Sequence, residues 1–154
     1  MTDKKNVVGK DIRFIAFLLI AGGIVGVGIA VWLGLQTSSQ QPAFAFYALV
    51  SAAIFVWSSW KGISLWKGKP DGYKWAKILF AAQIPALTLP NFSYEFYTGL
   101  SFRLMFGQVD SNVGFNLGSS INFYVSPEIQ GTVFGINLIA IIVLVYLFKV
   151  SRSN

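Results

Sequence analysis

The stretch FIAFLLIAGGIVGVGIAVWLGL, Phe14 to Leu35, runs for 22 residues without one polar side chain. It opens an interval of 47 positions between Arg13 and Lys61 in which no residue is charged. A helix needs about 20 apolar residues to cross a bilayer, so this interval has room for two crossings. The polar run QTSSQQP divides it, and the sequence therefore predicts one transmembrane helix at about 14–35 and another at about 43–60.

The composition of the whole chain agrees with a membrane protein. Of the 154 residues, 55% are hydrophobic and 12% are charged, and the mean hydropathy is +0.61. Soluble domains carry roughly 25% charged residues. Half that density leaves too few polar groups to cover a surface in water, so part of the surface is expected to face lipid. At this length the chain is expected to form a single integral membrane domain, 1–154.

The first apolar run also resembles a signal peptide, because lysines precede it and the small residues AFA follow it at 43–45. A signal peptide has an apolar core of only about 7–15 residues, however. The run here is longer, and cleavage after AFA would fall against the second apolar run. The sequence therefore predicts that the first helix is retained.

A third uncharged interval predicts a transmembrane helix at about 74–90. Its apolar part, ILFAAQIPALTLP, reaches spanning length only if Lys74 and Lys77 extend toward the headgroups. Gln83 and Pro85 interrupt it. Because a proline in a membrane helix is tolerated where a neighbouring helix satisfies the freed carbonyl, both residues are expected to face other helices.

The last uncharged interval, 129–148, is rich in Ile, Val and Leu. Ser126 suits the N-cap of a helix, Pro127 its first position, and Glu128 the positive end of its dipole. The sequence therefore predicts a fourth transmembrane helix at about 127–148. The expected fold is an α-helical membrane protein with four transmembrane helices and a small β-rich extracytoplasmic segment between the third and the fourth.

Basic residues are distributed unevenly between the segments that join these spans. Eleven of the twelve fall in the N-terminus, in 61–77 or in the C-terminus, which four spans place on one side of the membrane. The other side receives an uncharged hairpin and the segment 91–128, whose charges sum to −2. Cytoplasmic loops carry the excess of Lys and Arg. Both termini are therefore expected in the cytoplasm, and the expected location is a cell membrane, by default the bacterial inner membrane.

The segment WKGISLWKGKPDGYKWAK, 60–77, is basic and aromatic, a composition that also suits nucleic-acid binding. It is short, however, and lies where the second helix should leave the bilayer and the third should enter it. Trp and Tyr at such positions form an aromatic belt, and lysines beside them meet anionic headgroups. The sequence therefore predicts contact with anionic lipids and not with nucleic acid, with KGKPDGY as a turn centred on Pro70-Asp71-Gly72. The alternative is a cytoplasmic partner or a specific headgroup docking on this loop. The interface residues are Trp57, Trp60, Lys61, Trp66, Lys67, Tyr73, Lys74, Trp75 and Lys77.

Three runs of period two occupy the extracytoplasmic segment, predicted at 91–126. GLSFRLMFG, VGFNLGS and SINFYVS each alternate apolar with polar or small residues. They predict a small antiparallel meander with one apolar and one polar face. So small a sheet does not stand alone in water. Two alternatives remain for it: a lid that closes the helix bundle, or a docking surface whose edge strand pairs with another chain.

Small residues recur every fourth position along the first span, and the pattern repeats early in the fourth. It predicts close helix packing, either within the four-helix bundle or between copies of the chain in a homo-oligomer. Gln83 and Asn137 are expected to hydrogen-bond to each other across the third and fourth helices, or to line a small cavity. The small residues are Gly22, Gly26, Ala30, Gly34, Gly131 and Gly135.

Catalytic residues, cofactors and metals are not predicted. The chain has no cysteine and no histidine, which removes thiol and imidazole chemistry. Neither a phosphate-binding loop nor a metal-ligand spacing occurs. The apolar parts of the predicted spans contain no Asp, Glu, Lys, Arg or His, which argues against a proton-driven transporter. On the outer side, Tyr94, Glu95, Arg103 and Asp110 are the candidate polar residues, and they are the best basis for an enzyme acting on lipid or peptidoglycan precursors.

These features favour a non-enzymatic accessory, subunit or inhibitory protein of the membrane. It is expected to act through contacts with a membrane or extracytoplasmic protein, partly through the outer segment. The alternative is an oligomeric transporter or channel for ions or small solutes, assembled through the glycine ridges, since four helices alone hardly enclose a wide path.

Overall fold

The computed structural model describes residues 8–37, 42–107, 112–124 and 131–153. Within these ranges the chain is a mixed α/β protein, with four helices and one four-stranded antiparallel sheet. The predicted fold of four transmembrane helices is therefore wrong. The elements in chain order are α1 (Lys10–Thr37), α2 (Pro42–Trp66), α3 (Pro70–Ala82), β1 (Pro85–Leu89), β2 (Phe92–Gly107), β3 (Asn112–Tyr124), β4 (Val133–Asn137) and α4 (Leu138–Ser153).

Helices α1 and α2 are long and apolar enough to cross a membrane, over Lys10–Gln36 and Ala45–Trp66. Among the described helices, only these two are. α1 and α2 contain the first two predicted spans, so the helical conformation and the apolar length predicted there are confirmed. The two helices pack as an antiparallel pair, because glycines of α1 admit the Phe55 ring and the Ser59 hydroxyl of α2.

The turn after α2 is built on Gly68 and not, as predicted, on Pro70-Asp71-Gly72. Gly68 has a φ of 67°, and its N–H donates to Leu65 O at 2.9 Å while Lys69 N–H donates to Ser64 O at 3.0 Å. This pattern satisfies the last carbonyls of a helix with a left-handed glycine. Pro70 then begins α3, because the first position of a helix needs no N–H donor.

The predicted third transmembrane helix, 74–90, is wrong because α3 ends at Ala82. Proline lacks the N–H that a helix requires and disfavours the helical conformation of the residue before it. Pro85 accordingly begins β1, which forms a hairpin with the start of β2. Asn91, in the two-residue connection, has a φ of 71°. Such a left-handed residue is typical of a tight hairpin turn.

The predicted fourth transmembrane helix, 127–148, is wrong in its first half. Val133–Asn137 form a strand, and α4 begins only at Leu138. Asn137 sets this start, because its Oδ1 accepts a hydrogen bond from Ala140 N–H at 3.3 Å, as an N-cap side chain does. The cap predicted at 126–128 lies outside the described residues.

The predicted three-stranded meander is also wrong. Its first run belongs to the 16-residue strand β2, and its second and third runs form one strand, β3. No turn separates them, because Gly118, with a φ of 133°, stays in the ladder opposite Gly99, whose φ is 86°. The other two strands, β1 and β4, come from the predicted third and fourth spans, so the sheet extends beyond the predicted outer segment 91–126.

The strands close into a ring. β1 pairs with residues 92–95 of β2 and with β4, and β4 pairs with residues 103–107 of β2. β3 follows the other edge of β2. Directly opposed residues share a face of the sheet. We call the face that carries Glu95 and Arg103 the inner face, and the opposite face, with Phe96 and Leu104, the outer face. Polar side chains prevail on the inner face and apolar ones on the outer face.

Part of the outer face packs on α1 and α2. The rings of Phe96 and Phe55 lie 6.2 Å apart between centroids, and the Thr98 and Ser119 side chains are buried against α1. The buried core joins the helices to this part of the sheet. It consists of Ile12, Ile15, Ala16, Leu19, Phe55, Leu65, Ala76, Leu79, Phe80, Phe96, Ala140 and Leu147.

Candidate functional site

One end of the molecule gathers the start of α1, the α2–α3 turn and the end of α4. The Tyr146 hydroxyl donates to Asp11 Oδ2 at 3.0 Å, and Lys77 Nζ donates to Ser151 Oγ at 2.8 Å. We call this the basic end, because the described Lys and Arg residues of these helix ends are gathered there. They include Lys10, Arg13, Lys61, Lys67, Lys69, Lys74, Lys77 and Lys149.

Lys61 organises the aromatic residues of the basic end. Its Nζ lies 2.7 Å from Asp71 Oδ2, 5.5 Å from the Trp60 ring centroid and 5.7 Å from that of Trp75. The hydrogen bond from Lys61 holds the pKa of Asp71 below its usual range. Trp57 packs edge-on against Trp75, with centroids 4.6 Å apart. These two tryptophans therefore also hold α2 against α3.

The predicted interface residues divide by exposure. Trp60, Trp66, Lys67 and Lys74 are exposed, as side chains in contact with headgroups must be. The others, Trp57, Lys61, Tyr73, Trp75 and Lys77, are half-buried.

The predicted ridge on α1 packs within the chain. A Cβ added to Gly22 would lie 2.3 Å from Gly99 N in the sheet, one on Gly26 would lie 2.4 Å from the Phe55 ring, and one on Gly34 would lie 2.9 Å from Ala48 Cβ. Ala30 is buried as well. Of the two predicted alternatives, internal packing is therefore what these contacts support.

The second predicted ridge is not a helical feature. Gly131 precedes β4, and Gly135 lies within it beside Ala86 of β1. Close helix packing also depends on three glycines that were not predicted to pack, of which Gly23 would place a Cβ 2.1 Å from Ser59 Oγ. A Cβ on Gly62 would lie 2.8 Å from the Ile20 side chain, and one on Gly72 would lie 2.3 Å from Leu65 N.

Gln83 and Asn137 are buried at the bend of β2, where residues 96–102 have no partner strand on the side of β1 and β4. Gln83 Oε1 accepts a hydrogen bond from Thr98 N–H at 3.2 Å, and Asn137 Oδ1 accepts one from Phe102 N–H at 3.3 Å. A buried N–H without an acceptor costs about 1–3 kcal/mol. The two amides therefore stabilise the bend. Each amide oxygen accepts a hydrogen bond from β2 and not from the other amide, so the predicted interhelical bond between them is wrong.

Glu95 and Arg103 form an ion pair across the inner face, between Oε1 and Nη1. Their side chains are 26% and 11% exposed, and the guanidinium carbon lies 5.0 Å from the Tyr97 ring centroid. Tyr94 belongs to the opposite face, where its hydroxyl donates to Ala82 O at 2.8 Å. Asp110 lies outside the described residues. The structure thus brings together two of the four predicted outer polar residues.

The chemistry open to this pair is electrostatic. The carboxylate is already held by the guanidinium, and such a pair orients polar groups and fixes the shape of its surroundings. In the described part of the chain, no three Asp, Glu, His or Cys residues come close enough to hold a metal ion.

β3 presents both a free edge and an apolar face. It pairs with β2 on one side, and no other described strand lies on its other side. Its 13 residues, Asn112–Tyr124, include neither a charged residue nor a proline. On the outer face, Phe115 is 64% and Leu117 78% exposed, and Val113 is exposed beside them. We call these three residues, with Phe106, Phe134 and Ile136, the apolar patch.

A cavity of about 210 Å³ separates β3 from the α1–α2 pair. Its walls include Gly26 and Leu33 of α1, Ala48 of α2 and Ile121 of β3. The Tyr47 hydroxyl closes one side by donating to Ile121 O.

The contact between α1 and the sheet was missed by the sequence analysis. Ser119 Oγ donates to Gly22 O at 2.5 Å and lies 3.3 Å from Thr98 Oγ1. The sequence signal was the pair Thr98 and Ser119, two polar residues at apolar positions of the alternation, each beside a glycine, Gly99 or Gly118. This stretch of Gly and Ser predicted a boundary between strands and not a close approach of two backbones.

No protein-family model, curated protein or solved structure matches the chain. Similarity therefore assigns it neither a family nor an activity. Its function must be inferred from the basic end, the ring of strands and β3.

Proposed function

We propose that the protein is a non-enzymatic accessory or subunit protein of the cell membrane, in bacteria the inner membrane, and that it acts through contact with another membrane protein. α1 and α2 anchor it. The basic end supports an orientation with both termini in the cytoplasm, because cytoplasmic segments carry the excess of Lys and Arg. The exposed Trp60, Trp66, Lys67 and Lys74 then meet anionic headgroups.

The observation that carries the proposal is the free edge of β3. Proteins protect edge strands with lysine, proline, bulges or very short length. Residues 112–124 have no charge and no proline, and the strand is long. Apart from Ile121 O, which accepts the hydrogen bond from Tyr47, such an edge offers backbone N–H and C=O groups to a strand of another chain, whose own backbone supplies the complementary groups.

The pattern of β3 indicates what kind of strand fits. Val113, Phe115 and Leu117 lie on the outer face, and Asn112 and Asn116 on the inner face. A partner strand with the same alternation and no charge extends both faces. A second copy of β3 meets this requirement in antiparallel register, as in a two-fold symmetric dimer, and an unrelated membrane protein with an uncharged edge meets it as well.

Site-specific photo-cross-linking in native membranes tests this proposal. We expect p-benzoylphenylalanine at Asn112 or Phe115 to give one defined protein adduct, because both positions flank the free edge. Leu49, which is exposed on α2, is the control position and is expected to give none. Asn116→Lys, which places a charge in the edge, should abolish the adduct. Equal protein adducts from Leu49, or lipid adducts alone from β3, would contradict the proposal.

The polar inner face favours a second candidate function, an oligomeric channel or transporter for small solutes. Arg103 and Glu95 supply the charges that a hydrated path needs. Purified protein in vesicles should then conduct ions or small solutes, and Arg103→Met should change their selectivity. Vesicles without flux, at a protein density that allows oligomers, would rule against this candidate.

A further inference from the structure

The apolar patch has no cover among the described residues. The depth at which the sheet meets α1 indicates what covers the patch. We infer that the sheet lies inside the outer half of the bilayer, with the apolar patch against lipid acyl chains, and not above the membrane in water. The third and fourth membrane segments are then hybrids, helical in the cytoplasmic half and strand in the outer half. This inference rests on the membrane location proposed above.

Depth along α1 is the first argument. Gly22 is eight residues beyond Phe14, where the apolar run begins, so it lies about 12 Å into a hydrocarbon core about 30 Å thick. The sheet touches α1 at this depth, because a Cβ on Gly22 would lie 2.3 Å from Gly99 N and Ser119 Oγ donates to Gly22 O at 2.5 Å. If α1 crosses the membrane, the bend of β2 therefore lies near the middle of the bilayer.

The direction of the strands is the second argument. From Ser119, β3 continues along the outer halves of α1 and α2, where it shares the cavity with Leu33 and where Tyr47 bonds to Ile121 O. β1 continues from the end of α3, and β4 leads into the start of α4, while the far ends of these helices lie at the basic end. The sheet therefore extends from the middle of the bilayer toward its outer surface.

The combined lengths are the third argument. In α4, residues 138–148 span about 16 Å before Lys149, and the five residues of β4 add about 17 Å. In the other segment, residues 78–84 with the five residues of β1 cover about 30 Å. Each helix–strand segment thus matches the hydrocarbon thickness of about 30 Å, which neither helix reaches alone.

The faces of the sheet suit the same position. Ile142 and Val145 are exposed on α4, which follows β4 directly in the chain, so the helical and the strand part of this segment both carry exposed apolar side chains. The polar side chains lie on the inner face, away from lipid. Backbone groups in a bilayer must be paired within protein. The ring of strands meets this demand for β1, β4 and β2, with Gln83 and Asn137 at the bend, and the partner proposed for β3 covers the remaining edge.

Spin labelling tests the depth directly, because the chain has no cysteine and every introduced cysteine is unique. The variants Phe115→Cys and Leu117→Cys carry a nitroxide on the apolar patch. Ile24→Cys, exposed on α1, is the lipid reference, and Gln36→Cys at the end of α1 is the aqueous reference. In reconstituted vesicles we expect the ratio of oxygen to nickel-complex collisions at Phe115 and Leu117 to match that at Ile24 and to exceed that at Gln36 several-fold.

Each of the other outcomes contradicts either this inference or the proposed membrane location. If Phe115 and Leu117 behave like Gln36 while Ile24 lies in lipid, the sheet is above the membrane and this inference fails. If oxygen and nickel are both excluded from the patch, protein covers it and the inference also fails. If Ile24 itself is in water, the proposed membrane location fails first.

Discussion

Alanine in place of Gly22 and of Gly28 should change the stability of the protein in opposite directions. Both glycines lie inside α1, where exchanging glycine for alanine favours the helix by up to about 1 kcal/mol. A Cβ on Gly28 meets nothing within 4 Å. Gly28→Ala is therefore expected to raise the free energy of unfolding by up to about 1 kcal/mol.

At Gly22 the same Cβ would lie 2.3 Å from Gly99 N and 2.4 Å from Thr98 Oγ1. Gly99 has little room to move away, because a Cβ added to it would lie only 3.0 Å from Leu18 O and its φ is 86°. Overpacking costs about 1–3 kcal/mol, and displacing the Ser119 hydrogen bond to Gly22 O costs about 1 kcal/mol more. After the helical gain is subtracted, Gly22→Ala should lower the free energy of unfolding by about 1–3 kcal/mol.

The assay is reversible unfolding in mixed micelles, followed by the fluorescence of the five tryptophans. A difference of about 2–4 kcal/mol between the two variants is expected, with unchanged helix content in the folded state. Equal stabilisation by both alanines would refute the contact between the middle of α1 and the bend of β2. It would remove the first argument for the depth of the sheet at the same time.

Three further changes follow from contacts in the ring and at the basic end. Glu95→Gln should lower the free energy of unfolding by about 2–4 kcal/mol in the same assay, because it leaves the buried guanidinium of Arg103 without its carboxylate. Adding Arg103→Met should recover most of this loss. Additive losses from the two substitutions would contradict the ion pair. Asn137→Ala should cost about 2–3 kcal/mol, because it removes the acceptor of a buried strand N–H and the N-cap of α4, and circular dichroism should show a shorter helix. The hydrogen bond from Lys61 lowers the pKa of Asp71. The carboxylate therefore stabilises the fold fully when the pH is above the ordinary pKa of an aspartate, and this stabilisation is lost as the pH falls through the lowered pKa. Asp71→Asn should abolish that acid-side dependence of tryptophan fluorescence, and an unchanged pH profile would contradict it.

The helices α1 and α2 and the grouping of basic residues were predictable from the sequence, because both depend on the absence or clustering of charge. A charge-free interval of 47 positions with a polar interruption specifies two apolar segments whatever their conformation. In a segment of about 20 residues, that conformation is helical almost by default, since backbone groups in lipid must be satisfied within the segment.

The strands β1 and β4 could not be predicted in the same way, because hydropathy does not distinguish a helix from a buried strand. Short apolar runs such as PALTL and VFGIN fit both. Pro85 did indicate the end of a helix, but a strand also requires a partner, and β4 lies more than forty residues further along the chain. Pairing at that distance leaves no local pattern.

The ion pair shows the same limit at the candidate site. Glu95 and Arg103 are eight residues apart, which in a straight strand is about 26 Å, so a flat meander keeps them apart. They meet because β2 bends between them, where Gly99 faces Gly118 and the two buried amides replace the missing strand. Gln83 and Asn137 were visible as the polar residues of two apolar segments, and were interpreted as contacts between helices. Each marks instead the residue at which helix and strand meet, since an amide oxygen at that junction binds the N–H groups that a bent strand leaves unpaired. A lone amide beside a proline or a run of β-branched residues in an apolar segment should therefore be weighed as a helix–strand junction before it is assigned to an interhelical bond.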